Sequence, residues 1–399
     1  MGKQHKQCLV CRKPSNGMHF GAISCRACAA FFRRATVLNI KYECKNGDNT
    51  CNIDGRGRFV CRFCRYMRCH EIGMQAEKVQ RDYDPTYSIK GICDDLGSEE
   101  SGSSPRTIDE PSTSRKNSDD TDFLFNFSPK PSDKPIVRID FSEMTKKIEE
   151  MFRVESEGGL VGAIVSLRKD QKSKNDVKVV DKLEIAEIID WLSERILKWA
   201  KWFNHCELLM SLEQDQKIKV FRSSWNVLHT FERLEMSSKI LDNDDKCLLI
   251  CDELVWLYEH SHFDVGSISE VTNQYFAKLF DPYLQRYIEE VGKQLKELQL
   301  TNQELIFCLV HLIGIDVSDL NPKTIETLET LKQELAEQMH NYYSEHPDMT
   351  KYSHRIIKLM NIVNTVRKIS IQKNRVKELF YIFDLFHADI SDPYFFEIF

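Results

Sequence analysis

Residues 25–34 read CRACAAFFRR, from Cys25 to Arg34, and this short run carries two messages. Cys25 and Cys28 are separated by two residues, which places two sulfurs on one side of a tetrahedral metal ion. Arg26, Ala29, Ala30, Arg33 and Arg34 recur at helical spacing on one face, while Phe31 and Phe32 point largely elsewhere. Ser24 is a good N-cap, so the spacing predicts a helix from Cys25 to Leu38. An arginine- and alanine-lined face backed by aromatic residues suits a DNA major groove about 12 Å wide, where Arg bonds guanine O6 and N7 together.

Working outward, the cysteines complete two sets of four. The first is Cys8, Cys11, Cys25 and Cys28; the second is Cys44, Cys51, Cys61 and Cys64. Four thiolates fill the coordination of Zn²⁺ and leave no place for a reacting water, so two structural zinc ions are expected rather than a catalytic one. Metal binding would supply on the order of 10 kcal/mol that so small a core lacks. Cys69 is left over and reads as a core thiol. A second helix starting at Cys61 carries Arg62, Arg65 and Arg68, spaced to meet phosphates.

Charge is divided in the same way as the cysteines. Residues 1–81 hold 16 Lys/Arg against 5 Asp/Glu, a net +11, although the whole chain of 399 residues sums to −6. A basic head on an acidic body points to a polyanionic partner for the head alone. The polar start Met1–Lys6 has no apolar stretch of the secretory kind, and no apolar run approaches the roughly 18 residues that span a bilayer. An intracellular protein is therefore expected, in which clustered cysteines bind metal rather than pair as disulfides.

Residues 82–137 read as a disordered hinge rich in Ser, Pro and acid, with too little hydrophobicity to repay ordering entropy. From 138 to 399 the periodicity is helical almost throughout, as in Ile185, Ile188, Leu192, Ile196 and Trp199, and again in Ile356, Leu359, Val363, Val366 and Ile369. An all-α second domain is expected, with residues 168–182 as an exposed connection. Cys247 and Cys251 read as buried thiols. No phosphate loop, GxSxG or HExxH pattern occurs, so nothing points to an enzyme.

These motifs together resemble the nuclear hormone receptor family, most closely its divergent nematode supplementary receptors. The resemblance rests on Cys8–Cys11, the run Gly17–Gly21, CRACAAFFRR, and Cys61–Cys69 followed by His70 to Met74. It implies a zinc-stabilised two-helix DNA-binding domain over 5–81, a hinge, and a helical-sandwich ligand-binding domain over 138–399. It also implies a nuclear transcription factor. His19 is implied as a phosphate contact beside the arginines. Departures are present too. Arg26 and Ala29 stand where the family carries Glu and Lys, Phe20 stands for a frequent Tyr, and six residues rather than five separate Cys44 from Cys51.

In the second half, Trp199–Phe203 with Asp215–Trp225 is similar to the family's helix 3 to helix 5 signature, and Lys358–Phe386 to its dimerisation helix. The end, Tyr394–Phe399, is similar to its activation helix, expected over 393–399. The resemblance then implies a coregulator groove, with Glu397 at its rim and Lys201 and Arg222 across it, that takes an LxxLL-type helix. It also implies a homo- or heterodimer and a small lipophilic ligand. The competing reading is a zinc-module protein-interaction adaptor that does not read DNA.

Overall fold

The computed structural model describes residues 6–79, apart from 16, 38–41, 45–46 and 54–60. It also describes residues 136–397, apart from 155, 157, 242–246, 259, 270, 316, 318–319, 347–351, 383–384 and 387. Of the hinge expected over 82–137, residues 82–135 lie outside the described residues, whereas Ile136 and Val137 are described, Val137 opening the first strand of the second unit; Ile398 and Phe399 also lie outside. Two compact units are present, one within each span.

The first unit is small and almost all turn and helix. Strands β1 (Lys6–Gln7) and β2 (Pro14–Ser15) pair antiparallel, as do β3 (Met18–His19) and β4 (Ala22–Ile23). Two residues, Phe20 at φ +52° and Gly21 at φ +97°, join β3 to β4. Positive φ at both central positions matches the strand twist of a tight hairpin. Gly21 accepts this without strain; Phe20 does not, and its ring is held 5.8 Å from that of Phe32. Helix α1 (Arg26–Val37) follows, within one residue of the predicted bounds, and α2 (Arg62–Glu71) packs against it. Phe31 and Phe32 are buried between them, meeting Tyr66 at 6.4 and 5.9 Å, with Tyr42 stacked 5.5 Å from Phe31.

The second unit is helical, with short strands between the helices. After β5 (Val137–Ile139) come α3 (Ser142–Met151) and α4 (Leu160–Leu167). Next are β6 (Lys178–Val180), β7 (Lys182–Glu184), α5 (Ile185–Asn204), α6 (Glu207–Met210) and α7 (Gln214–Ile240). Strands β8 (Cys247–Leu249), β9 (Leu254–Leu257) and β10 (His262–Asp264) lead into α8 (Asn273–Arg286). A π-helical stretch, Tyr287–Gly292, carries α8 into α9 (Lys293–Leu298). Then come α10 (Asn302–Leu312), α11 (Pro322–Ser344), α12 (Tyr352–Ile382) and β11 (Ala388–Ile390).

Helix starts follow local chemistry. Thr301 caps α10 by accepting from Glu304 N at 3.3 Å, while the Glu304 carboxylate accepts from Thr301 N at 2.9 Å. Asn321 caps α11 by accepting from Thr324 N at 2.7 Å, with Pro322 in the first turn, where it forfeits no bond. Helix α7 is central. Val220, Phe221, Trp225, Leu228 and Phe231 have no exposed surface, and neither do Glu232 and Glu235. These carboxylates are neutralised by Arg168, at 2.8 and 2.5 Å, and Arg233 pairs with Glu232 at 2.6 Å. The segment 168–182, expected as an exposed connection, is therefore anchored. Arg168 holds one end, and β6 pairs parallel with β9 at the other. The strands were missed because strands of three or four residues carry too little alternation to register against helical periodicity.

The carboxyl terminus differs from the expectation of a helix over 393–399. Strand β11 pairs parallel with β5, and residues 393–395 form a turn, with no helix among the described residues of this segment. No helix among the described residues is long and apolar enough to cross a membrane.

Candidate metal centres, nucleic-acid face and tail

Zinc ligation is built from the turns already described. The eight cysteines form two groups, Cys8/Cys11/Cys25/Cys28 and Cys44/Cys51/Cys61/Cys64, each with all sulfurs within 4.8 Å of one another. Sulfur pairs lie 3.6 Å apart for Cys11–Cys25, 3.6 Å for Cys44–Cys51 and 3.7 Å for Cys44–Cys64. A tetrahedron with metal–sulfur bonds of about 2.3 Å has edges of about 3.8 Å, so both cages fit Zn²⁺. The protein holds two structural zinc ions, and bound metal closes the loops that this small unit could not close by packing. Cys69 is fully buried outside both groups, and burial pushes its thiol up to about 12, which keeps it neutral.

The face of α1 is arranged somewhat differently from the expectation. Cys28, Ala29, Phe31, Phe32 and Ala35 are buried, whereas Ala27, Ala30 and Arg33 are partly exposed. Ala29, expected on the groove-facing side, is only 5 % exposed and belongs to the core, because its position faces the turn that carries the first cage. Arg33 is half-buried, with no hydrogen bond or ion pair to any described residue. Arg26 and Arg34 lie on α1, but their side chains fall outside what the structure describes. His19 is half-buried on β3, and Arg62 is half-buried in the first turn of α2.

Arg65, expected to meet phosphates, is buried: it is 6 % exposed and donates from Nη2 to Cys28 Sγ at 3.3 Å, with its guanidinium 4.6 Å from the centre of the Phe31 ring. Arg65 sits on the face of α2 that packs on α1, whereas Arg62 and Arg68 do not; Arg68 pairs with Glu71 at 3.0 Å.

In the helical unit the expected coregulator residues are not brought together. Lys201 is exposed near the end of α5. Arg222 pairs with Asp392 at 2.8 Å and lies 5.7 Å from the Phe395 ring centre. Glu397, expected at a rim, is instead 6 % exposed and bonded to Lys377 at 2.8 Å and Lys373 at 3.2 Å. Burial alone would push this carboxyl up, but the two lysines outweigh it and hold it below its ordinary range. The tail is further fixed by Trp225, whose indole N–H donates to the Tyr394 carbonyl at 3.1 Å, and by Phe395, buried near Phe141 and Phe221. Lys373 and Lys377 were not singled out from sequence. The available signal is their place in an otherwise apolar stripe, Val366, Ile369, Lys373, Lys377 and Phe380, at three- and four-residue spacing.

Beside the tail lies a cavity of about 70 Å³, walled mainly by apolar side chains such as Leu192, Trp256 and Phe276, with Asp281, Lys373 and Glu397 among its polar contributors. Burial pushes the Asp281 carboxyl up to about 6.

Comparison with known proteins accords with both units. A family model described as a double treble clef zinc finger of C4 type matches residues 6–76. Another, described as the ligand-binding domain of nuclear hormone receptor, matches residues 173–383, more than half of the chain. Among curated proteins, nuclear hormone receptor family member nhr-213 of Caenorhabditis elegans is 29% identical over 94% of this chain and 90% of its own length. Family member nhr-98 of the same organism is 28% identical over 97% of this chain and 89% of its own. The chain belongs to the nuclear hormone receptor family, and is a DNA-binding, ligand-regulated transcription factor rather than an enzyme.

Proposed function

We propose that α1 lies in a major groove with Ala27, Ala30 and Arg33 towards the bases, and that Arg26 and Arg34 of the same helix also serve DNA binding. The single observation carrying this reading is the partly exposed stripe Ala27–Ala30–Arg33 on a helix whose other side is fixed by Cys25, Cys28, Phe31 and Phe32. Two small alanines let the backbone approach the base edges, and Arg33 is the group with reach and donors to read guanine. Arg62 and Arg68 of α2, with His19 of β3, contact phosphates and set the register. The site of action is the nucleus, where the DNA lies.

Regulation is assigned to the tail. The docked tail is one of two states, and a ligand in the neighbouring cavity acts by shifting the population between them. Release of the tail frees Arg222 from Asp392 and opens the apolar cleft lined by Phe141, Phe221 and Trp225. An amphipathic coregulator helix then docks there, with Lys201 near its carbonyl end. The long helix α12 is assigned to pairing with a second receptor chain.

Titrating the full chain with duplex DNA at several salt concentrations tests the DNA reading. Affinity falls steeply with salt, and the slope falls by about 0.9 when Arg62 is replaced by Met, because one phosphate contact is lost. Binding indifferent to salt would overturn the assignment.

A further inference from the structure

The first zinc centre lies deeper than the second. Cys8 and Cys28 have no exposed surface, whereas Cys44 and Cys51 are only half-buried. Four thiolates around one Zn²⁺ carry a net charge of about −2. Net charge kept from water is costly unless opposite charge stands beside it.

Arg65 is placed to be that charge. Its Nη2 donates to Cys28 Sγ, and its guanidinium lies over Phe31, so one side chain spans the two helices and seals the cage. Among the described residues no carboxylate pairs with it, and its Nε finds no acceptor. A buried arginine lacking a carboxylate partner is uncommon, and the sulfur is what compensates for its burial here. Arg65 also directly follows Cys64, a ligand of the second centre. The last ligand of one cage and the counter-charge of the other are thus consecutive residues on α2.

We propose that Arg65 is the fixed counter-ion of the first zinc centre. It lowers the nucleophilicity of the Cys28 thiolate and makes retention of that zinc depend on α2, which the second centre holds in place. Arg65 is then a positioning residue for the DNA-reading helix, acting through Cys28 and Phe31, and does not touch DNA. An N–H···S bond withdraws electron density from the sulfur that an electrophile or oxidant would attack, so the protection falls on Cys28 above its neighbours.

The test uses the zinc-loaded full chain, with limiting iodoacetamide and mass mapping of the alkylated cysteines. In the natural protein Cys28 reacts more slowly than Cys8, although the two are equally buried; this comparison needs no variant. In Arg65→Met, which keeps an unbranched chain over Phe31 but neither charge nor donor, the first centre yields its zinc to a chromogenic chelator about 10–100-fold more readily. The second centre keeps its zinc, and alkylation of Cys28 rises most. Arg65→Lys restores most of the retention because it restores the charge. At saturating zinc, both variants bind DNA with the salt slope of the natural protein. Equal reactivity of Cys28 and Cys8, unchanged zinc release in Arg65→Met, or a salt slope lower by about 0.9, the mark of a lost phosphate contact, would each overturn the proposal.

Discussion

On α1, Ala30 and Arg33 are partly exposed while Phe31, Phe32 and Ala35 are buried, and that difference around the helix is what makes α1 two-sided. Replacing Arg33 by Ala removes no hydrogen bond or ion pair with a described residue, so the fold is expected to stand while DNA affinity falls by about 1–3 kcal/mol at the sites it reads. Equal thermal stability combined with weaker binding in anisotropy titrations would bear this out. Loss of stability would instead place Arg33 in the core. Asp281 provides an independent residue-level test in the other unit. Its carboxyl is held protonated up to about pH 6 by burial, above its ordinary 3.8. A raised acid contributes stability that is complete below pH 3.8 and lost as pH rises through 6. At pH 7 the charged form is therefore a liability, and Asp281→Asn is expected to stabilise by about 1 kcal/mol, discounted for its partial exposure. The gain disappears near pH 4 in parallel melting curves. At this scale the cysteines were legible because metal geometry dictates their spacing. The burial of Ala29 and Arg65 was not, since helical periodicity gives a face but not the element that covers it.

The carboxyl-terminal segment shows at the scale of elements what pattern alone misses. Three successive aromatics followed by one acid, Tyr394 to Glu397, resemble a short activation helix, yet the chain adopts strand β11 and a turn. The deciding partners are remote in sequence: β5 offers an edge for β11, Asp392 meets Arg222, and Glu397 meets two lysines of α12. Glu397→Gln leaves Lys373 and Lys377 buried without their shared acid. It is expected to cost about 3 kcal/mol and to release the tail, raising protease cleavage after Ile390. The pH dependence has the opposite sign to that of Asp281. A depressed carboxyl contributes stability that is complete above its ordinary 4.5 and lost as pH falls through its lowered value. Tail docking followed by the fluorescence of Trp225 should therefore hold down to about pH 4.5 and fail only in more acid solution. Loss of docking between pH 7 and 5 would contradict the ion-pair latch. The long helices α5, α7 and α12 were legible because their apolar stripes run for many turns, while the three-residue strands left no comparable trace.

For the molecule as a whole, the asymmetry of charge and cysteine in the sequence matches a division of labour between two separately cored units. Among the described residues, cysteine clusters able to hold metal occur in the first unit alone. A chelator is therefore expected to abolish DNA binding and the structure around α1 and α2 while leaving the melting transition of the helical unit unchanged. A single transition lost all at once would show that the helical unit depends on the zinc centres. The family and its two zinc centres were visible from the first 74 residues, and so was the DNA-binding role. The state of the tail was not visible, because it depends on side chains of β5, α7 and α12 that no local pattern ties to it.

The central claim is that α1 reads bases through Ala27, Ala30 and Arg33 on a zinc-fixed scaffold. Selection of preferred duplexes from random DNA by the zinc-loaded full chain, repeated with Arg33→Ala, tests it most directly. The account predicts a defined half-site for the natural protein and loss of preference at one guanine for the variant, with the remaining positions kept. Recovery of no preferred sequence, or of the same sequence with the same strength at every position by both proteins, would contradict it.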